Sequence, residues 1–276
     1  METVRRVAVV NDLSGFGRCS LTVALPILAA MGFQPCPVPT VLLSAHTGYV
    51  SPYISDFTDH MAPYLQHWES MDLTFDGVYT GFLGNEKQID LLLPLLQRTK
   101  GLRMVDPAMA DHGRLYATCT PQLVEEMKKL VALATVTTPN LTEACLLAGE
   151  EYDAVMALSA GERRQRLEEL GRRLRETGCE AVVITGVPED TQVSNMVLTD
   201  AGEAWVSACR VERNFAGTGD VFSAVLCGYL LRGEPLVKAA RLTADFVSQV
   251  TAHTAALGAP EQDGILFEPF LKLLCK

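Results

Sequence analysis

The sequence predicts an α/β fold, a three-layer α/β/α sandwich around a mostly parallel central sheet. Three observations carry this. Short β-branched apolar runs alternate with longer stretches of helical periodicity along nearly the whole chain, an alternation that builds parallel sheets with helices on both faces. The strand runs are continuously apolar, as strands covered on both sides are. The chemically distinctive residues fall just beyond the strands, where open α/β sheets bind ligands.

The elements follow in order. A strand at residues 7–10 ends in Asn11-Asp12, and a helix is expected over 21–31. A second strand at 38–43 leads into Ser44-Ala45-His46-Thr47-Gly48. Residues 49–68 are less regular and read as a flap over the site. A strand at 77–80 precedes Gly81-Phe82, a helix spans 87–97, and a strand at 103–105 precedes Asp106-Pro107. A helix at 121–133 and a strand at 134–137 lead to Thr138-Pro139-Asn140, with a helix over 141–147. In the next helix, 161–176, Leu167, Leu170 and Leu174 mark one apolar face within a mixed Arg/Glu run, the pattern of a solvated amphipathic helix. A strand at 181–185 carries Thr185-Gly186 at its end. Residues 193–198 and 204–208, joined by a turn at 199–202, read as a hairpin, and helices at 219–231 and 235–253 close the chain. With no repeat or linker visible, residues 1–276 are expected to form a single domain.

Composition excludes several functions. Against 33 acidic residues there are 23 Lys and Arg, a net charge of −10, without a basic run; nucleic-acid binding needs clustered cations. The eight cysteines form no C-x-x-C pair. That scatter suits reduced, mostly buried thiols rather than a zinc site or a disulfide framework. The apolar runs fall short of membrane-spanning length and the start lacks a signal-peptide pattern, so a cytoplasmic protein without a membrane partner is expected.

Asn214-Phe-Ala-Gly217-Thr218-Gly219-Asp220 is the strongest local signal. Glycines open an apolar helix whose free N–H groups attract anions, and an acid in its first turn can take a proton from an attacking hydroxyl. Simple capping, with Thr218 as N-cap, explains the same letters. Asn140 and Glu143 have the spacing of a capping box; a carboxylate near a water-coordinated magnesium ion is the alternative. Asp106-Pro107 is either an Asp-Pro turn or a second acid facing metal or phosphate. Ser14-Gly15-Phe-Gly17 lacks the third glycine of a dinucleotide fingerprint, and the second strand ends without an acid for a ribose, which removes a Rossmann dehydrogenase. A Walker A sequence is also missing. His46 and the other histidines show no metal-ligand spacing.

Taken together, these segments resemble the ribokinase-like superfamily in order and spacing. Gly217-Thr218-Gly219-Asp220 looks like its catalytic signature, and Asn140 with Glu143 like its N-x-x-E metal motif. The run from Thr40 to Tyr49, ending in His46-Thr47-Gly48-Tyr49, is similar to the pyridoxal kinases, as are Thr80-Gly81-Phe82-Leu83-Gly84 and Thr138-Pro139-Asn140-Leu141. The resemblance implies transfer of the ATP γ-phosphate to the 5′-hydroxyl of a vitamin B6 form, with Mg²⁺, stimulation by K⁺, and a homodimer. It implies Asp220 as base within the cradle of Gly217, Thr218 and Gly219. Asp106, Thr138, Asn140, Thr185, Gly186 and Thr218 would face the nucleotide, Glu143 and Asp106 the metal, and Leu43, His46, Thr47 and Phe82 the small-molecule substrate. The family usually carries Ser within Gln-Ser-His where this chain has Asn11-Asp12, an aromatic residue at Leu43 and Tyr at Phe82. Asp12 would then meet a ring nitrogen or amine, which favours a protonated partner such as pyridoxamine, and Ser14 would take over the serine role. A hydroxymethylpyrimidine kinase of the same fold, or a non-catalytic B6 or nucleotide binder, are the competing expectations.

Overall fold

The structure, a computed structural model, describes residues 4–275. The chain opens with β1 (Arg6–Ser14), α1 (Ser20–Ala30), β2 (Gln34–Leu43), β3 (Ile54–Asp56) and α2 (Thr58–Ser70). Next come β4 (Gly77–Thr80), α3 (Glu86–Arg98) and β5 (Leu102–Val105). A small hairpin of β6 (Ala110–Asp111) and β7 (Arg114–Leu115) precedes α4 (Pro121–Val131), β8 (Val136–Thr137), α5 (Leu141–Ala148), α6 (Tyr152–Met156) and α7 (Ala160–Glu176). The final part runs β9 (Val182–Glu189), β10 (Gln192–Thr199), β11 (Gly202–Cys209), α8 (Thr218–Leu231) and α9 (Leu236–Ala256), then 3-10 turns at Glu261–Asp263 and Glu268–Leu273.

Among the described residues, nine strands form one sheet in the order β11-β10-β9-β8-β5-β4-β1-β2-β3. The pairs from β2 across to β9 are parallel, and antiparallel strands finish both edges. Period-two alternation sends successive side chains to opposite faces. Ala8 and Val10 of β1 therefore pack in one core with Ile89, Leu123, Leu141 and Leu167 of α3, α4, α5 and α7. Val7 and Val9 pack in the other with Leu21, Val221 and Ala239 of α1, α8 and α9. This is the expected three-layer α/β/α sandwich.

The structure corrects the sequence expectation in three places. The supposed flap at 49–68 contains the edge strand β3 and most of α2. Its stripe of Met61, Tyr64, Leu65 and Trp68 has helical i, i+3, i+4, i+7 spacing and packs on the core, but Pro63 interrupts the pattern. Second, β2 begins at Gln34, not at residue 38, and takes in Pro35, Pro37 and Pro39. These prolines pair with Val7, Val9 and Asn11 of β1, while β3 reaches β2 only at Val41–Leu43. On that stretch β2 is an edge, where a missing N–H breaks no ladder bond. Third, four of the eight cysteines are buried; Cys36 and Cys119 are half-buried, and Cys209 and Cys275 are exposed. No helix among the described residues is long and apolar enough to cross a membrane.

Two glycines test the packing. A Cβ at Gly101, immediately before β5, would stand 1.9 Å from the Asp76 carbonyl oxygen, and backbone cannot yield as a side chain can. Gly101→Ala is expected to cost on the order of 1–3 kcal/mol. Gly161, in the first turn of α7, has open space around it; Gly161→Ala is expected to stabilise by about 0.4–1 kcal/mol through the unfolded chain. Urea midpoints of the two variants should move in opposite directions.

Candidate active site

Most candidate residues gather at the carboxyl ends of β1, β4, β5 and β8; Thr185 and Gly186, expected at a strand end, lie inside β9, which runs on to Glu189. The centre is the start of α8. Gly217 is its N-cap with φ +69°, and no side chain caps the helix. A Cβ there would lie 1.8 Å from the Arg18 carbonyl oxygen, so the left-handed turn and the close approach both require glycine. Thr218 is the first helical residue rather than the N-cap, and its hydroxyl turns back to donate to the Phe215 carbonyl at 2.8 Å. The capping explanation of the motif fails on this geometry, and the N-terminal amides are left without a side-chain partner, as an anion cradle needs.

Asp220 sits in the first turn of α8 and is half-buried. Burial, and then the charges of Asp12 and Asp106, push its carboxyl up to about 7, against the lowering effect of hydrogen bonds from Ser20 and Asn11. A carboxyl in that range is matched to proton transfer near neutral pH. Asn11, 1% exposed, locks the neighbourhood: its Oδ1 accepts from the amides of Asp12 (3.0 Å) and Phe82 (2.8 Å), and its Nδ2 points at Asp220.

Asp12 lies at a register shift between β1 and β2, and such irregularities re-aim a side chain. Its carboxylate is engaged by hydroxyls of its own chain. Ser14 Oγ donates to Asp12 Oδ2 at 2.8 Å and Ser20 Oγ to Oδ1. Burial raises the Asp12 pKa and the two hydroxyls oppose the rise. Ser20 adopts φ +52°, a left-handed conformation uncommon outside glycine, and touches both acids, Asp12 through its hydroxyl and Asp220 through its backbone.

Asp106, just after β5, accepts a 2.6 Å bond from Ser223 Oγ, and burial raises its pKa. Ser223 stands one helical turn beyond Asp220 and lies 3.3 Å from Thr138 Oγ1. Sequence reasoning missed Ser223, although its i+3 spacing from Asp220 placed it on the same helix face.

Asn140 and Glu143 form the capping box of α5. Glu143, 2% exposed, also does more than cap. Its Oε2 accepts from the Asn140 amide at 2.8 Å, and its Oε1 accepts from Met109 at 3.0 Å and Ala110 at 3.4 Å. Burial, with Asp106 adding, raises its pKa well above the usual range. Thr185 bridges to Asn140, and Gly186 (φ +71°) is held by Asn195 Oδ1 at 3.2 Å.

The substrate-side candidates are spread more widely. Leu43 is buried at the end of β2, Phe82 is half-buried after β4, and Thr47 is exposed. The His46 imidazole is committed at both nitrogens: Nδ1 accepts from the Gly48 amide at 3.1 Å, so Nε2 carries the proton and donates to the Gln262 carbonyl at 2.7 Å. Next to the glycine cradle, an open cleft of about 450 Å³ runs between His46, Ala216 and Gln262. The arrangement thus offers an uncapped helix start, a carboxyl raised to about 7 and a group of carboxylates whose pKa values burial raises.

Comparison with known proteins agrees with this chemistry. The chain is 30% identical over 262 residues to a pyridoxine/pyridoxal/pyridoxamine kinase of Bordetella avium, covering 89% of this chain and 84% of that one. It superposes with TM-score 0.92 and 36% identity on a Bacteroides thetaiotaomicron protein assigned as a phosphomethylpyrimidine kinase and crystallised with pyridoxal, covering 99% and 96% of the two chains. Pyridoxal kinase of Lactobacillus plantarum superposes with TM-score 0.90 and 30% identity over 99% and 97%. The resemblance to ribokinase-like pyridoxal kinases is therefore borne out. Residues 28–264 match the phosphomethylpyrimidine kinase family, and the chain belongs to that family of enzymes, which phosphorylate an alcohol group.

Proposed function

We propose that this enzyme transfers the γ-phosphoryl group of ATP to the 5′-hydroxyl of a vitamin B6 form. The observation that carries the reading is Asp220, a carboxyl raised to about 7 in the first turn of a helix opened by Gly217 and left uncapped by side chains. Asp220 takes the proton of the acceptor hydroxyl as that oxygen attacks phosphorus, and the α8 amides, with Gly217, Thr218 and Gly219, hold the phosphate oxygens. Asp106 and Thr138, joined through Ser223, and Asn140, Thr185 and Gly186 border the nucleotide in this reading. Leu43, Thr47 and Phe82 border the B6 ring.

The carboxylates suit a hard divalent cation. Mg²⁺ keeps several waters and takes one or two carboxylates. Asp106 would hold it, with Glu143 reached through water because its oxygens are engaged by amides. The ion would neutralise charge on the phosphates. Stimulation by K⁺ and a homodimer rest on the sequence resemblance, and a cytoplasmic location on the scattered cysteines and the lack of a signal pattern; all three belong to the same proposal. The continuous nine-stranded sheet supports one kinase domain. Hydroxymethylpyrimidine is the second reading, favoured by the family match; it uses the same base and differs only in the ring pocket. Rates with pyridoxal, pyridoxine, pyridoxamine and hydroxymethylpyrimidine decide between them, and faster turnover of hydroxymethylpyrimidine than of every B6 form would refute the substrate assignment.

Asp220→Asn is expected to lower kcat by about 10²–10⁴-fold. At pH 8 it should not lower the melting temperature. A carboxyl raised in the folded state costs stability as pH climbs from its unfolded value near 3.8 through about 7, and Asn removes that cost. A variant with near-native kcat would refute the base assignment.

The pH profile follows with the same sign. Protonated Asp220 cannot accept a proton, so kcat/KM should fall as pH drops through about 7. Asp12→Asn, which removes a negative neighbour of Asp220, should move that acid limb to lower pH; an unmoved limb would show that Asp12 does not tune the base.

Glu143→Gln is expected to destabilise by about 1–3 kcal/mol, because an amide NH₂ must then face backbone donors that the carboxylate now accepts. Denaturation of the ligand-free protein measures this, and the Mg²⁺ dependence of turnover measures the metal reading separately.

A further inference from the structure

We infer that the turn at Glu261–Asp263 staples together the three loops around the phosphoryl-acceptor site, with His46, Tyr49 and Asp263 as positioning residues. The inference rests on reading the loop around Thr47 as part of the acceptor site. From the β1–α1 loop, the Arg18 amide and Nη1 both donate to the Asp263 carbonyl at 3.2 Å. From the loop after β2, His46 Nε2 donates to the Gln262 carbonyl at 2.7 Å, and Tyr49 donates its hydroxyl to Asp263 Oδ1. From the segment before the cradle, the Ala216 amide donates to the Glu261 carbonyl at 3.0 Å. One short turn thus touches the chain between Asp12 and Ser20, on both sides of Thr47, and one residue before Gly217.

The turn is itself fixed. Ile265 and Phe267, 0% and 3% exposed, anchor the segment in the same core as Phe215 and Val221. The fit at His46 is equally tight. A Cβ at Gly17 would stand 2.3 Å from its Cδ2, and one at Gly48 would stand 2.7 Å from its Cε1. The ring is clasped between two glycines of different loops and packs edge-on against Tyr49 with centroids 4.9 Å apart. A tail that merely covered the surface would not direct its carbonyls and carboxylate to three separate loops. Positioning of this kind acts on the acceptor, whose hydroxyl must meet Asp220 and phosphorus together, and leaves the α8 amides unaltered.

The test uses Asp263→Ala, Asp263→Asn and Tyr49→Phe in the full chain. Asp263→Ala and Tyr49→Phe are expected to raise KM for the B6 acceptor by about three- to tenfold, with KM for ATP changed less than about twofold. The double variant should be no worse than either single one, and Asp263→Asn, which keeps an acceptor oxygen, should restore most of the loss. Hydrogen exchange of amides 46–50 in ligand-free protein should speed up in Asp263→Ala. Unchanged exchange, or an equal rise in both KM values, overturns the inference. If the native protein phosphorylates no B6 form, the substrate assignment fails, and exchange alone then decides the staple.

Discussion

The close approach of Gly217 to the Arg18 backbone, which leaves no room for a Cβ, is the contact on which the site depends. It brings the loop after the first strand against the start of a helix that begins 200 residues later in the sequence, from Arg18 to Thr218. Asp12, Ser20 and Asp220 become neighbours through it, and the helix amides are left without a side-chain cap. Any other residue at 217 faces two separate penalties, a left-handed backbone and a backbone clash.

Around that contact the protein tolerates an electrostatic cost. Asp12, Asp106, Glu143 and Asp220 are all raised by burial, and Asp12 and Asp106 further raise Asp220. Lone buried charges of this kind are unfavourable in a ligand-free fold. The fold answers with local donors: serine hydroxyls on Asp12, Ser223 on Asp106, and backbone amides on Glu143. The acids differ accordingly. Glu143 is held by three amides, whereas Asp220 keeps only a long bond from Asn11 and a backbone contact with Ser20.

Capping and function, which look like rivals at two motifs, separate once the geometry is known. At α8 the glycine cap withholds a side-chain partner and leaves the amides free. At α5 the capping box is complete, yet its Glu143 also reaches across to Met109 and Ala110, fixing the backbone just beyond Asp106. The same letters that stop a helix from fraying also set where the strand-end acid lies.

Features encoded by short spacing were legible in the sequence. The strand–helix alternation, the hairpin of β10 and β11, the Asn140–Glu143 box and the acid after Gly217-Thr218-Gly219 all depend on residues a few positions apart, whose relation the backbone geometry dictates. The pyridoxal-kinase resemblance came from the same short runs. What lay beyond reach were pairings across the chain. Ser223 with Asp106 spans 117 positions, and His46 with Gln262 spans 216. The helix α2 buries only Met61 and Leu65, which leaves a thin apolar stripe to read, and the proline-rich start of β2 was hidden by the edge position that makes it permissible. The raised pKa of Asp220 was equally invisible, since desolvation is set by what surrounds a group in space. The sequence by itself determined the layers, the motifs and the kind of chemistry. Only the tertiary structure decided which hydroxyls hold Asp12, that no side chain caps α8, and that the 261–263 turn ties the loops together, because each of these is a contact made by folding between segments that carry no local trace of one another.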